Sequence, residues 1–168
     1  MIFDITTYTY VHVLLSFVGI LSGFIVLYGL LTANRMENWT LVFLATTLAT
    51  SLTGFGFPFG GFTPAFGVGI ISTVVLLAAI LARYAFRLEG PWRAVYVAGA
   101  VLALYLNVFV LIVQAFLKVP VLHTLAPDGT EPPFAITQAV VLVLFILAGF
   151  MAHRRFRLAS GLPLRASG

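Results

Sequence analysis

Polar side chains inside long apolar segments are the residues of this sequence that could bind a ligand. Those singled out are His12, Ser16, Thr50, Ser51, Asn107, Gln114, Lys118, His123 and Gln138. His12 and Ser16 are four residues apart, as are Gln114 and Lys118, so each pair shares a helix face. Buried amides and imidazoles need partners in lipid, and they often mark a site or a pathway. The set predicts a polar ligand-binding pocket, or else hydrogen-bonded contacts between helices worth ~0.6 kcal/mol on average.

The two histidines allow a second interpretation. His12 and His123 are able to ligate a haem b iron from opposite sides, because neutral imidazole is a common axial ligand. One lies at the head of a predicted helix and the other in a predicted loop, so they meet only if that loop folds back. A metal held by both histidines and a loop carboxylate, Asp128 or Glu131, is a further alternative. The sequence favours no metal and no cofactor, with haem b as the alternative.

Catalytic motifs are missing from the sequence. It contains no G-x-S-x-G, H-E-x-x-H or P-loop pattern, so no catalytic residue is predicted. It has no Cys, which excludes disulfides, thiolate metal sites and C-x-x-C-H haem attachment. The apolar segments carry no acid of the kind that ion-coupled transporters place in the membrane. These observations favour a non-enzymatic protein and make an ion-driven pump the least favoured class.

The elements that must position these side chains are apolar and almost free of charge. Charged residues make up 8% of the chain, against about 25% in soluble domains. A helix of about 20 apolar residues crosses the ~30 Å hydrocarbon core of a bilayer. Spans are predicted at residues 10–33, 39–57, 65–86, 93–117 and 134–152. The predicted fold is an all-α polytopic membrane protein, with five transmembrane helices in one antiparallel bundle over residues 1–153 and a basic tail at 154–168.

The basic residues are concentrated on one side of that bundle. Lys118 lies on one side, and the other side carries Arg35, Arg83, Arg87, Arg93, Arg154, Arg155, Arg157 and Arg165. By the positive-inside rule, the N-terminus is outside and the C-terminus is cytoplasmic. The candidate pocket then opens toward the outer face, with Asn107 near the midplane. The net charge of +4 is interpreted as a topology signal, so no nucleic acid is expected as a partner.

Small residues suggest where helices pack closely. Gly19-x-x-x-Gly23 is a spacing that lets two helix backbones approach each other. The same kind of surface could close the bundle itself or dock a second subunit. Besides the lipid bilayer, the expected partners are therefore a second copy of the chain or a larger membrane complex.

Three sequence segments resemble small hypothetical integral membrane proteins of bacteria. They are residues 104–114, Leu122-His123 and Glu131-Pro132-Pro133-Phe134, and the resemblance covers roughly the last four spans. It implies a multi-pass protein of the bacterial inner membrane and transfers no activity. The predicted function is small-molecule or lipid binding, or a role as an accessory subunit. A haem- or quinone-linked redox subunit is the alternative, and a small passive transporter or channel is the third.

Overall fold

The computed structural model describes residues 5–57 and 64–158, and these two ranges contain helices but no strand. The helices are α1 (Ile5–Leu31), α2 (Glu37–Gly54), α3 (Pro64–Ile80), α4 (Trp92–Lys118), α5 (Pro120–Leu125) and α6 (Pro132–Leu158). A π-helical turn, Leu81–Ala85, continues α3. The all-α prediction is confirmed, because apolar segments of this length satisfy their backbone groups internally only as helices.

The helices differ from the predicted spans by a few residues at most ends, with α1 beginning at Ile5 and not at residue 10. The predicted loop from 118 to 133 contains the short helix α5, which has Pro120 at its start, where the missing N–H costs nothing. His123 therefore lies on a helix and not in a loop. Helix α6 runs on to Leu158, into the segment predicted as tail. The predicted turn at 58–63 and the tail from residue 159 lie outside the described residues.

Helices α1 to α4 run alternately up and down. The Tyr8 hydroxyl of α1 reaches the Thr53 carbonyl of α2, whereas Gly29 at the other end of α1 lies beside Met36. Helix α4 contacts α1, α3 and α6, and α6 packs against both α1 and α4. This order gives the bundle two ends. We call them the histidine end, which carries His12, and the arginine end, which carries Arg83.

Close helix packing is centred on a glycine of α1. A Cβ atom placed on Gly23 would lie 2.6 Å from Leu104 Cδ1 of α4 and 2.9 Å from Phe43 Cε2 of α2. Phe43 and Leu104 are both buried in the core. The glycine therefore lets three helices meet where any larger side chain would force them apart.

Four helical segments are long and apolar enough to cross a membrane. They are Ile5–Leu31, Phe66–Ala85, Trp92–Lys118 and Pro132–Phe156. Helix α2 packs between α1 and α3 but is not among them, because its 18 residues include Glu37 and Asn38 as well as six hydroxyl side chains. The described part of the chain thus has the helices of a multi-pass membrane protein.

Replacing Gly23 should weaken the bundle. We expect Gly23→Ile to lower the free energy of unfolding by about 1–3 kcal/mol, because overpacking displaces core side chains. Gly67→Ile is the matched control, since a Cβ at Gly67 meets nothing within 4 Å. Thermal unfolding of the detergent-solubilised protein measures both. Equal midpoints for the two variants would contradict the packing described above.

Candidate functional site

The histidine end brings α1 and α2 together through a polar contact. His12 Nδ1 lies 2.9 Å from the Thr53 hydroxyl oxygen, and the Tyr8 hydroxyl donates to the Thr53 carbonyl at 2.6 Å. The Thr53 hydroxyl has one proton, which it gives to a carbonyl of its own helix. His12 Nδ1–H is therefore the donor to Thr53 in the neutral imidazole, and Nε2 carries the lone pair.

Ser16, the other candidate on α1, makes its hydrogen bond within that helix. Its hydroxyl donates to the His12 carbonyl at 2.8 Å. This bond satisfies the hydroxyl without using a neighbouring helix. Ser16 therefore lies on the face of His12, as the spacing predicts, but its bond does not join α1 to α2.

Two further contacts join α2 to its other neighbours. The hydroxyls of Ser51 and Ser72 lie 3.0 Å apart and connect α2 to α3. Asn107 Nδ2 donates to the Thr47 hydroxyl oxygen at 3.4 Å and connects α4 to α2. The hydroxyl oxygen of Thr50 is buried on the same helix without a hydrogen-bond partner. Two of the candidates from the sequence thus lie on α2, and Asn107 lies beside it.

The remaining candidates lie on α4, α5 and α6. Gln138 is buried, and its amide nitrogen donates to the Phe109 carbonyl of α4 at 3.2 Å, whereas its Oε1 has no partner. Gln114 is half-buried, and Lys118 and His123 are exposed. The structure therefore distributes the candidate residues over several helix pairs. A ligand-binding role for them stays a prediction.

The loop before α6 is organised by a carboxylate. Glu131 accepts hydrogen bonds from the backbone N–H groups of Asp128 at 3.0 Å and Thr130 at 2.9 Å. These bonds hold the pKa of Glu131 below its ordinary value. The described residues contain no group of three His, Cys, Asp or Glu side chains placed to share a metal ion. In this structure the Glu131 carboxylate therefore organises its own turn.

The arginine end contains an ion pair between a buried arginine and an exposed glutamate. Arg83 Nη2 donates to Glu37 Oε2 at 2.6 Å, with 4% of the arginine side chain and 65% of the glutamate side chain exposed. The guanidinium carbon lies 5.1 Å from the centre of the Tyr96 ring, a cation–π contact. Nε and Nη1 are buried without a hydrogen-bond partner. Arg83 is therefore part of the interior, although the sequence indicated only a topology signal.

A sequence signal for this pair did exist. Arg83 lies inside the predicted third span, and Glu37 lies just before the predicted second span. Consecutive antiparallel helices place those two positions at the same end of the bundle. The exact pairing was not accessible, because the π-helical turn Leu81–Ala85 sets the direction of the arginine side chain.

The surface between α4 and α6 forms an open apolar groove of about 460 Å³. It is lined by Ala94, Val97, Ala98, Val101, Leu102, Tyr105, Leu142, Phe145, Ile146, Gly149, Phe150 and His153. A Cβ at Gly149 would lie 3.3 Å from Val101 Cγ1, so the two helices are close at the floor. We call this surface the α4–α6 groove.

The arginine end of the groove is basic. A neighbouring cavity of about 340 Å³ is lined by Gly90, Pro91, Arg93, Ala94 and His153. It shares Ala94 and His153 with the groove, so the two adjoin each other. The guanidinium carbon of Arg154 lies 4.7 Å from the centre of the Phe150 ring, which lines the groove. The sequence did not reveal this site, because it depends on how two separate helices pack.

Comparisons with known proteins add no relative: a scan against protein-family models and searches of curated proteins and of solved structures found no match.

Removing the carboxylate that pairs with the buried Arg83 should destabilise the bundle. We expect Glu37→Gln to lower the free energy of unfolding by about 1–3 kcal/mol, because the buried Arg83 charge loses its charged hydrogen bond. Glu89→Gln is the control, since Glu89 is exposed and forms no ion pair with the described residues. Thermal unfolding in detergent measures the difference. A Glu37→Gln midpoint no lower than that of Glu89→Gln would refute this role.

Proposed function

We propose that the chain is a non-enzymatic integral membrane protein that binds a lipid or another small apolar molecule resident in the membrane, alone or as an accessory subunit of a larger complex. The α4–α6 groove is the observation that carries this proposal. It is open along its length, and its lining is apolar apart from Tyr105 and His153. Such a surface matches a ligand that arrives from the bilayer.

The hydrogen bonds inside the bundle support the same proposal. His12, Ser51 and Asn107 each contact a hydroxyl of a neighbouring helix. Side chains that satisfy one another in this way stabilise helix association. The groove, by contrast, leaves apolar area that a ligand is able to cover. This contrast favours the membrane-facing surface over the histidine end as the place where a ligand binds.

We further propose that α2 is the fifth span and that the N-terminus is outside, in a bacterial inner membrane. The antiparallel packing of α2 between α1 and α3 supports five crossings. Its polar groups are compatible with this position because neighbouring helices hydrogen-bond them. The excess of arginine at one end supports a cytoplasmic C-terminus. The bacterial setting follows from the resemblance of the last four spans.

Single cysteines are a direct test of the topology, since the chain has none of its own. We expect Gly60→Cys, which lies outside the described residues, to react with an impermeant reagent added outside. Asn34→Cys should react only after the cytoplasmic side is opened, because α2 separates the two positions. Glu89→Cys is the control for the cytoplasmic side. Labelling of Gly60→Cys and Asn34→Cys from the same side would exclude α2 as a span.

Filling the groove tests the proposed function. We expect the gently solubilised protein to retain a lipid or other apolar molecule, detected by native mass spectrometry, and Ala98→Trp to lose most of it. Ala45→Trp is the matched control, because both alanines are exposed on helices and only Ala98 lines the groove. Equal retention by the two variants would contradict the proposal.

The same purified protein distinguishes the proposed function from the alternative, a haem- or quinone-linked redox subunit. Tyr105 and His153 give the groove hydrogen-bonding groups that suit a quinone, which is the observation favouring a redox subunit. A retained quinone, or a Soret band in the visible spectrum that disappears in His12→Ala, would support that alternative. Retained lipid without either would support the proposed function.

A further inference from the structure

The length of the α4–α6 groove matches one leaflet of a bilayer. On α4 its lining runs from Ala94 to Tyr105, which corresponds to about 16 Å at 1.5 Å per residue. Half of the hydrocarbon core is about 15 Å thick. The groove therefore extends from the arginine end to about the middle of the membrane. An acyl chain of a lipid in that leaflet covers the same depth.

The charges at the arginine end of the groove, which we call its mouth, determine which lipid headgroup fits there. Arg93 and His153 line the mouth, and Arg154 lies over Phe150 beside it. Among the described residues the one ion pair joins Arg83 to Glu37, so neither Arg93 nor Arg154 forms an ion pair there. Guanidinium groups bind phosphate oxygens through paired N–H donors, and imidazole adds one more donor.

We propose that the α4–α6 groove binds a phospholipid with a net negative headgroup from the leaflet at the arginine end. One acyl chain lies along Ala98, Leu102 and Ile146, and the phosphate lies between Arg93 and His153. This assignment rests on the proposed function and adds the class of ligand and the leaflet. Basic pockets between transmembrane helices are known to recognise anionic headgroups in this way.

A second copy of the chain fits the groove less well. In a two-fold dimer the same patch occurs on both sides of the interface. Two parallel copies packed through α4 and α6 would therefore bring Arg93 and Arg154 of both copies to the same level of the interface, where neither arginine has an ion-pair partner of its own among the described residues. An anionic lipid supplies the opposite charge that this surface lacks.

Lipid competition tests the assignment on the full-length protein. The protein is equilibrated with equal amounts of phosphatidylglycerol and phosphatidylcholine that carry the same acyl chains, and retained lipid is identified by native mass spectrometry. We expect phosphatidylglycerol to be preferred, and the preference to fall roughly tenfold or more in the double variant Arg93→Gln with His153→Gln. Arg35→Gln is the control, because Arg35 lies at the same end in the α1–α2 turn and does not line the groove.

The outcomes distinguish this inference from the proposed function. Retention of both lipids without preference, or a preference unchanged in the double variant, would overturn the anionic-lipid assignment and leave apolar ligand binding intact. Loss of all lipid binding by the wild-type protein would overturn both. A dimer that excludes lipid from the groove would also overturn the assignment, in favour of a second copy. Should the double variant fail to fold, Arg93→Lys, which keeps the charge, is expected to retain most of the preference.

Discussion

Helix α2 lies inside an apolar bundle with its buried hydroxyls hydrogen-bonded, apart from that of Thr50. Thr46 bonds a carbonyl of its own helix, Thr53 does so and also contacts α1, and Ser51 contacts α3. An unpaired hydroxyl in a medium without water costs about 1–3 kcal/mol, so each contact removes a penalty. The position of α2 depends on these bonds. The packing of α1 and α3 depends in turn on α2, which lies between them.

The ion pair at the arginine end extends the same constraint to charge. Arg83 is nearly fully buried, and its guanidinium is held by Glu37 at the start of α2 and by the ring of Tyr96 on α4. Three helices thus surround one positive charge. Removing either of these two contacts leaves that charge less well compensated in a medium that solvates it poorly. Glu37 and Arg83, which border the charge-free segment in the sequence, are therefore joined by an ion pair in the structure.

Much of the fold could be predicted from the sequence, because hydropathy and span length act locally along the chain. The helices and their alternation follow from long apolar segments such as residues 93–117. A segment of this length and composition has few possible structures other than a helix that spans the membrane. The site was less predictable, since polar residues show only that partners are needed and not which ones. His12 contacts Thr53 and not His123, and no spacing rule indicates this. The α4–α6 groove depends on the relative placement of α4 and α6, which lies beyond any local pattern.

The open side of the α4–α6 groove has a consequence for how its occupancy is controlled. Exposed side chains such as Leu102 and Ile146 line it, so the proposed ligand would enter laterally from the membrane without crossing water. The concentration that sets the occupancy of the groove would then be the mole fraction of this ligand in one leaflet. Changes in lipid composition would alter occupancy at once, whereas dilution of the surrounding aqueous solution would not.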